Sequence, residues 1–361
     1  MRRGAFVGLI CAGLAVSPGA GEPARAETPQ EQLAKIVTLM NDARANFQPL
    51  PVVPPIKDMP NGAARLDLGR RLFFENRVSA DGAVSCSHCH QPERHGADGL
   101  EKSVGFEGAT NARNAPTVFN AALNSKQHWR GDRESLEEQA EKSLLGPATF
   151  GNPDYETAMN RLKAVPGYVQ AFAKAFPFDK EPVNSKNWGA AIGAFERTLL
   201  TPSKFDHFLD GDFTALNETE QAGLRKFVDL GCAGCHGGPG LGGAELKKFG
   251  LRGDYWKETG VAEPDRGRAE VTKDDFDLYV FKVPSLRNVA KTTPYFHDGS
   301  VAALDSAVKV MGKVQLGADI ADADAAAIVA FLGTLSGEAP ANFSAPEPYP
   351  DAPAEKAAST P

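Results

Sequence analysis

The chain contains 361 residues, of which 42% are hydrophobic and 24% are charged. This composition is typical of a globular protein with a full apolar core, and the length predicts two domains rather than one. The formal net charge of −7 argues against nucleic acid as a partner, because nucleic-acid-binding proteins carry an excess of basic residues. An acidic surface is compatible with docking of a basic redox protein.

The N-terminal segment has the pattern of a secretory signal. Two arginines at positions 2 and 3 precede an apolar run over residues 5–16, and a small-residue cleavage pattern ends at Ala26. The run is shorter than the ~20 apolar residues of a membrane-spanning helix. We therefore expect removal of residues 1–26 on export to the periplasm and a remaining chain that does not span the membrane.

The apolar spacing after this segment is mainly helical, and part of it repeats. A helical pattern over residues 31–47 and a proline-rich stretch up to residue 65 form an arm that we expect to lie over the first domain. A helix is predicted before each of two cysteine pairs, in "LDLGRRLFF" and in "ETEQAGLRKFVDLG". The second of these helices has Asn217 as N-cap and Glu220 three residues later, a capping box. The repeated plan indicates an internal duplication.

Four of the five cysteines form the two motifs "CSHCH" and "CAGCH". Disulfides within each pair are the alternative in an exported protein, but a histidine directly after each pair is the signature of covalent haem c attachment. The two histidines are then the proximal ligands of two haem irons. The residues of the two motifs are Cys86, Cys89, His90, Cys232, Cys235 and His236.

The expected fold is mainly α, with two cytochrome c-like haem domains in tandem and extended loops. The predicted boundaries are residues 27–200 for the N-terminal haem domain, 201–338 for the C-terminal haem domain and 339–361 for a tail rich in proline and alanine. Met311 ends a predicted helix well after His236, where a small cytochrome domain brings a thioether to its iron. A thioether raises the reduction potential, whereas core packing is the alternative role for Met311.

Several segments resemble the bacterial di-haem cytochrome c peroxidases of the MauG superfamily, over roughly residues 65–337. They include "LGRRLFFENRVSADGAVSCSHCH", "NARNAPTVFNAA", "AFERTLLTP", "FKVPSLRNVAKTTPYFHDGS" and "VKVMGKVQLG". The resemblance implies a low-potential peroxidatic haem held by His90 and a high-potential electron store held by His236 and Met311. It also implies that electrons from a small cytochrome c or a cupredoxin pass through the store to reduce hydrogen peroxide, and that the chain forms a homodimer, as is common in the family.

Other positions take their expected roles from the same resemblance. Trp129 matches a tryptophan between the haems and is interpreted as an electron bridge, with core packing as its alternative role. Asn114 and the backbone oxygens of Thr292 and Pro294 match a calcium site, whose oxygen-only ligands suit Ca²⁺. His297 matches a residue that contacts a haem propionate.

The first departure from the family pattern is Phe106, which stands where the family commonly has a removable histidine ligand of the peroxidatic iron. Phenylalanine cannot bind iron. The His90 haem is therefore expected to be open or water-bound, with capping by His95 or His128 as the alternative. An open iron needs no prior reduction of the other haem before peroxide binds.

The second departure concerns the residues expected to act on peroxide. The family's distal glutamine is retained as Gln139, but Thr149 occupies the position of a proton-transferring glutamate. A hydroxyl is a poor general base because its pKa is far from neutral. Three alternatives remain open at this point: peroxide cleavage is slow, another carboxylate such as Glu134 or Glu107 takes over the proton transfer, or the chemistry has changed.

Three functions follow from these patterns. A peroxidase is favoured, since members that oxidise a partner protein carry a tyrosine at the position of Met311. A MauG-like oxidase that modifies a partner protein is the second, because an open iron suits it. The third is a non-catalytic electron carrier or ligand binder, to which the loss of a carboxylate at Thr149 points.

Overall fold

The fold was described from a computed structural model, which covers residues 27–51 and 61–351 together with Met1. The predicted secretory signal, apart from Met1, lies outside the described residues, as do residues 52–60 and 352–361. The helices are α1 (Pro29–Asn46), α2 (Gly62–Phe73), α3 (Cys86–Cys89), α4 (Leu136–Ser143), α5 (Tyr155–Lys163), α6 (Pro166–Ala175), α7 (Ser185–Glu196), α8 (Lys204–Asp210), α9 (Glu218–Asp229), α10 (Tyr255–Thr259), α11 (Ala269–Thr272), α12 (Leu304–Met311) and α13 (Asp322–Gly333).

Strand structure is minor. Strands β1 (Leu246–Lys248) and β2 (Val280–Lys282) pair antiparallel, with Lys247 opposite Phe281. Short 3₁₀ helices occupy Pro92–Arg94, Phe106–Gly108, Ala121–Leu123, Cys232–Gly234, Asp275–Asp277 and Val289–Lys291, and a π-helical turn, Gly312–Leu316, follows α12. The prediction of a mainly α fold with extended loops is confirmed. No helix of the described ranges combines the length and apolarity needed to cross a bilayer.

The apolar side chains form two separate cores. Most of the first core is built by residues between Leu68 and Leu199, and most of the second by α8, α9, α13 and their neighbours from Phe205 to Leu335; each core also receives residues from one end of the described chain. The chain passes from one core to the other between Leu199 and Phe205. We therefore propose to keep the domain boundary near residue 201.

Helix α1 belongs to the second core, so the expectation that this part of the arm covers the first domain is wrong. Leu39, Met40, Ala43 and Phe47 of this segment pack there, and the ring of Phe47 meets that of Phe205 edge-on at 5.6 Å. The spacing of these residues predicts an apolar stripe but does not say which domain covers it.

The described part of the C-terminal tail packs on the first core, although it follows the second core in the sequence. Phe343 is 4% exposed, and its ring contacts those of Phe73, Phe119 and Phe195 in the first core. Each end of the described chain thus packs on the domain that is more distant in sequence. The two crossings join the domains in addition to the single linker near residue 201.

The duplication is visible in the main helix crossing of each domain. Helix α2 crosses α7 where a Cβ on Gly69 would overlap the carbonyl oxygen of Ala191, and α9 crosses α13 where a Cβ on Gly223 would overlap that of Ala327. Only glycine allows backbones to approach so closely. The two crossings are equivalent, which confirms the predicted duplication as a structural one.

Candidate active site

Each attachment motif folds into one helical turn, which brings its histidine back to the first cysteine of the pair. His90 N–H donates to Cys86 O at 3.1 Å, and His236 N–H donates to Cys232 O at 3.0 Å. No disulfide joins the two cysteines of either motif. The same local geometry therefore presents two thiols and one imidazole at both sites, as attachment of a c-type haem requires.

Backbone carbonyls fix the orientation of both imidazoles. The Nδ1 atom of His90 lies 3.1 Å from Gly96 O, and that of His236 lies 3.2 Å from Leu241 O. A carbonyl can only accept, so Nδ1 carries the proton and Nε2 is left with a lone pair for a metal. Burial lowers the pKa of both imidazoles, that of His236 to about 4, and a neutral imidazole is the form that binds iron.

A mainly apolar cavity surrounds the second motif. His236 and Met311 both line it, together with the two cysteines, and Trp129 reaches it from the first domain. The structure thus brings together the thiol pair, the imidazole and the thioether that the sequence predicts for one haem. A haem c fits this set, because it needs two thiols, an imidazole and an apolar wall.

Lys282 supplies a further observation in favour of a haem, which sequence reasoning missed. Its side chain lines the same cavity, only 6% of the residue is exposed, and burial lowers the pKa of its ammonium group to about 8 with no acidic partner nearby. A buried cation without a partner is costly. The propionate of a haem is the kind of group that would pair with it.

Trp129 and His297 occupy equivalent positions in two loops of the same conformation. Residues 127–133 and 295–301 are each closed by an antiparallel bridge between their ends. The second residue of each loop, His128 or Phe296, and the fifth, a glycine, have positive φ. The Trp129 indole donates to Asn114 O at 2.9 Å, and its ring lies 6.3 Å from that of His297.

The equivalence of these loops identifies α4 as the partner of α12. Helix α4 begins seven residues after Trp129, and α12 begins seven residues after His297. Ser143, the last residue of α4, therefore corresponds to Met311, the last residue of α12. The hydroxyl of Ser143 donates to Ala140 O at 2.7 Å. Helix α4, which also carries the half-buried Gln139, therefore corresponds in the duplication to the helix that carries Met311, but has a serine at the position of the thioether.

Phe106 and Thr149, at which the sequence predicts departures from the family pattern, lie in direct contact. Phe106 N–H donates to Thr149 O at 3.1 Å, and the Phe106 ring covers Gly151 so closely that a Cβ there would overlap it. The Thr149 hydroxyl donates to Ser143 O at 2.6 Å. This hydrogen bond joins Thr149 to the last residue of α4. We therefore interpret the Thr149 hydroxyl as a structural group and not as a general base.

The histidines considered as alternative ligands also have other contacts. His128 Nδ1 lies 3.3 Å from Asp132 Oδ1. The His95 ring packs edge-on against Phe119 at 6.4 Å. The two carboxylates considered as replacements for the missing glutamate are at the surface, since Glu134 pairs with Lys126 and is 71% exposed and Glu107 is exposed as well.

Glu196 is a buried carboxyl that sequence reasoning missed. It is 4% exposed, lies at the end of α7 and has no hydrogen-bond partner that lowers its pKa. Burial and the charge of Glu137 raise its pKa to about 8. The carboxylate also lies near Cys86, since its charge raises the pKa of that thiol. The available signal was a charged residue inside the otherwise apolar helix "NWGAAIGAFE".

The predicted calcium ligands and His297 lie along the same cavity. Asn114, Thr292 and Pro294 all line it, and Asn114 Nδ2 donates to Leu100 O at 2.8 Å, which leaves its Oδ1 free. His297 is 2% exposed and stacks on Phe281 at 4.2 Å. Within the described ranges, no three His, Cys, Asp or Glu side chains converge as a metal site.

Comparisons with known proteins agree with this geometry. The family model for di-haem cytochrome c peroxidases matches residues 63–214. The chain is 42% identical over 312 residues to the cytochrome c551 peroxidase of Pseudomonas aeruginosa, covering 85% of this chain and 89% of that protein. It is 39% identical over 290 residues to the cytochrome c551 peroxidase of Nitrosomonas europaea, covering 80% and 85%. Among solved structures it resembles a MauG-like protein associated with microbial copper homeostasis, with a TM-score of 0.73, 32% identity and coverage of 82% of this chain and 98% of that chain.

Proposed function

The chain belongs to the di-haem cytochrome c peroxidase family, and on that premise we propose that it is a periplasmic enzyme that reduces hydrogen peroxide to water. Electrons come from a small redox protein, a cytochrome c or a cupredoxin. His236 and Met311 hold the haem that stores electrons, and His90 holds the haem at which peroxide reacts. When bound, the two haems supply reversible one-electron chemistry.

One observation supports this proposal: at two positions of the first domain where a thioether or an imidazole is expected, the chain has residues that cannot bind iron strongly. Ser143 replaces the methionine of the second domain, and Phe106 replaces the usual histidine of the family. A side that lacks a strong protein ligand leaves room for a small molecule. This supports peroxide binding without a preceding reduction step.

Two side chains of this domain are suited to act on a bound peroxide. The amide of Gln139, on α4, can donate and accept hydrogen bonds and so orient the molecule. Burial raises the pKa of the Glu196 carboxyl, so this group keeps its proton to a higher pH than an ordinary carboxyl does and is suited to deliver a proton that Thr149 cannot. An acid with a pKa near the working pH is the most effective proton donor.

The test is peroxide-dependent oxidation of a reduced small cytochrome c by the haem-loaded protein. Glu196→Gln should lower kcat, because an amide N–H is not acidic enough to deliver a proton. Glu134→Gln, a change at an exposed carboxylate, should leave kcat unchanged. Absence of turnover in the parent protein contradicts the proposed function. Equal kcat for parent and Glu196→Gln contradicts only the assignment of the proton donor.

A MauG-like oxidase is the second candidate, favoured by the likeness to a MauG-like solved structure. Met311 argues against it, because the resemblance places a tyrosine there in protein-oxidising members. The two functions differ in the fate of the oxidising equivalents. A two-electron-oxidised spectrum that persists in the presence of a reduced cytochrome and decays on addition of a partner protein would favour the oxidase.

Calcium between the domains is part of the proposal. It is supported by the free Oδ1 of Asn114 and by Thr292 and Pro294 on the same cavity wall. Backbone and amide oxygens are suitable ligands for Ca²⁺. Chelation should therefore lower turnover, and added Ca²⁺ should restore it.

A further inference from the structure

A row of aromatic side chains leads away from the cavity of the second haem site. Trp129 lines the cavity, and its ring lies 6.3 Å from that of His297. The next ring is that of Tyr255, whose centroid lies 5.3 Å from His297. Tyr255 also stacks on Phe249, another residue of the cavity wall, at 4.5 Å and an angle of 14°. The row therefore begins between the two domains and leaves the cavity through a buried tyrosine.

The row continues to the surface through two more oxidisable rings. Trp256 lies 5.2 Å from Tyr255, and Tyr279 lies 6.1 Å from it. These two rings are 4.8 Å apart. Tyr255 is fully buried, whereas Trp256 and Tyr279 are both partly exposed. The ring sequence thus runs from the cavity wall to solvent without a gap.

The composition of the row differs from that of the nearby core. The buried aromatic rings of the second core are all phenylalanines, which fill space but are hard to oxidise. The row instead has tyrosine and tryptophan at each step beyond His297. Packing alone does not require the two tyrosines, since phenylalanine would fill nearly the same space as tyrosine.

Tyr255 also has a partner for its proton. Its hydroxyl donates to Asp265 O at 3.3 Å and also lies 3.5 Å from His297 Nε2, which is the second acceptor within reach. His297 Nε2 in turn lies 4.0 Å from an Asp265 carboxylate oxygen. Oxidation of a tyrosine to a neutral radical requires loss of the hydroxyl proton, and His297 can accept that proton and return it.

We propose that Tyr255, Trp256 and Tyr279 form a branch that carries oxidising equivalents from the space between the domains to the surface, so that Trp256 and Tyr279 are oxidised when peroxide is supplied without the donor protein. The proposal rests on the proposed peroxidase function. Hydrogen peroxide gains two electrons and two protons, its O–O bond breaks, and two waters form. Trp256 and Tyr279 each lose one electron and the proton of the N–H or O–H group, which balances the reaction and leaves two neutral radicals.

The test treats the haem-loaded full chain with hydrogen peroxide, without an electron donor, in the presence of the spin trap 2-methyl-2-nitrosopropane. Peptide mass spectrometry then locates the adducts, and peroxide consumption is followed in parallel. We expect adducts on Trp256 and Tyr279, and a several-fold decrease in Tyr255→Phe. Tyr349→Phe is the matched control, because Tyr349 is a partly exposed tyrosine that packs on Tyr168, away from the row, and it should leave both adducts unchanged.

The outcomes separate the branch from the peroxidase. Peroxide consumption with no adduct on Trp256 or Tyr279, or with equal adducts in the parent and Tyr255→Phe, overturns the branch alone. Absence of peroxide consumption overturns the proposed function and, with it, the branch. If Tyr255→Phe does not fold, the double variant Trp256→Phe with Tyr279→Phe replaces it. The tyrosyl radical signal of Tyr255 in freeze-quenched samples should then outlast that of the parent, and equal decay overturns the branch.

Discussion

Thr201 joins equivalent asparagines of the two duplicated halves. Its Oγ1 accepts hydrogen bonds from Nδ2 of Asn120 and Nδ2 of Asn288, both at 2.8 Å. All three residues are 0% exposed, and both asparagines have the left-handed backbone conformation, with φ of 59° and 62°. The hydroxyl is thus a shared acceptor at the junction of the domains.

Thr201→Val keeps the side-chain shape and removes this acceptor, leaving two buried N–H groups unpaired. Each costs about 1–3 kcal/mol, so the free energy of unfolding should fall by about 2–6 kcal/mol for the two together. Denaturant unfolding of the haem-loaded protein measures it. Thr334→Val is the matched control, because Thr334 is also buried, at 3% exposure, but its hydroxyl only donates to Phe331 O in its own helix at 2.6 Å. Equal losses in the two variants would refute the reasoning.

Three further predictions concern packing, pH dependence and ligation. Gly223→Ala should lower Tm through a loss of about 1–3 kcal/mol or more, because the new Cβ overlaps Ala327 O; an unchanged Tm in a thermal melt would contradict this. The pKa of Glu196 is raised from 4.5 to about 8, so the folded state binds its proton more tightly than the unfolded state. The free energy of unfolding should therefore decline as pH rises from about 4.5 to 8, by at most ~1.4 kcal/mol per pH unit. Denaturant midpoints measured across this range should depend less on pH for Glu196→Gln than for the parent. Equal pH dependence in the two proteins would exclude Glu196 as the cause. Met311→Leu should abolish the near-infrared thioether–iron band and lower the potential of the His236 haem in a redox titration, whereas an unchanged potential would assign Met311 to core packing.

The sequence predicts the local features of this protein well. The motif histidines and the helix before each motif depend on residues that are close in the chain. The capping box of α9 is one such feature, since Asn217 and Glu220 form both of its predicted hydrogen bonds. Short-range geometry and residue type are sufficient for such inferences.

Features that depend on distant packing were not predictable in the same way. The sequence of α1 predicts an apolar face, but it does not indicate that this face packs on the second core. Likewise, the loops "QHWRGDR" and "YFHDGSV" share only a glycine, yet they have the same backbone conformation. The roles of Glu196 and Lys282 depend on what surrounds each charge in three dimensions, because a charged residue in a sequence is usually solvated.

The proposed function requires that the His90 haem binds peroxide without a reductive activation step, as we expect if Phe106 stands where the family has a removable ligand. The most direct measurement compares peroxide-dependent oxidation of a reduced small cytochrome in the first turnovers of the resting diferric protein and of protein pre-reduced at one haem, each for the parent and for Phe106→His. We expect similar rates from the diferric and the pre-reduced parent protein. We expect activity of Phe106→His only after one haem has been reduced. A parent protein that is inactive until one haem is reduced would contradict the claim.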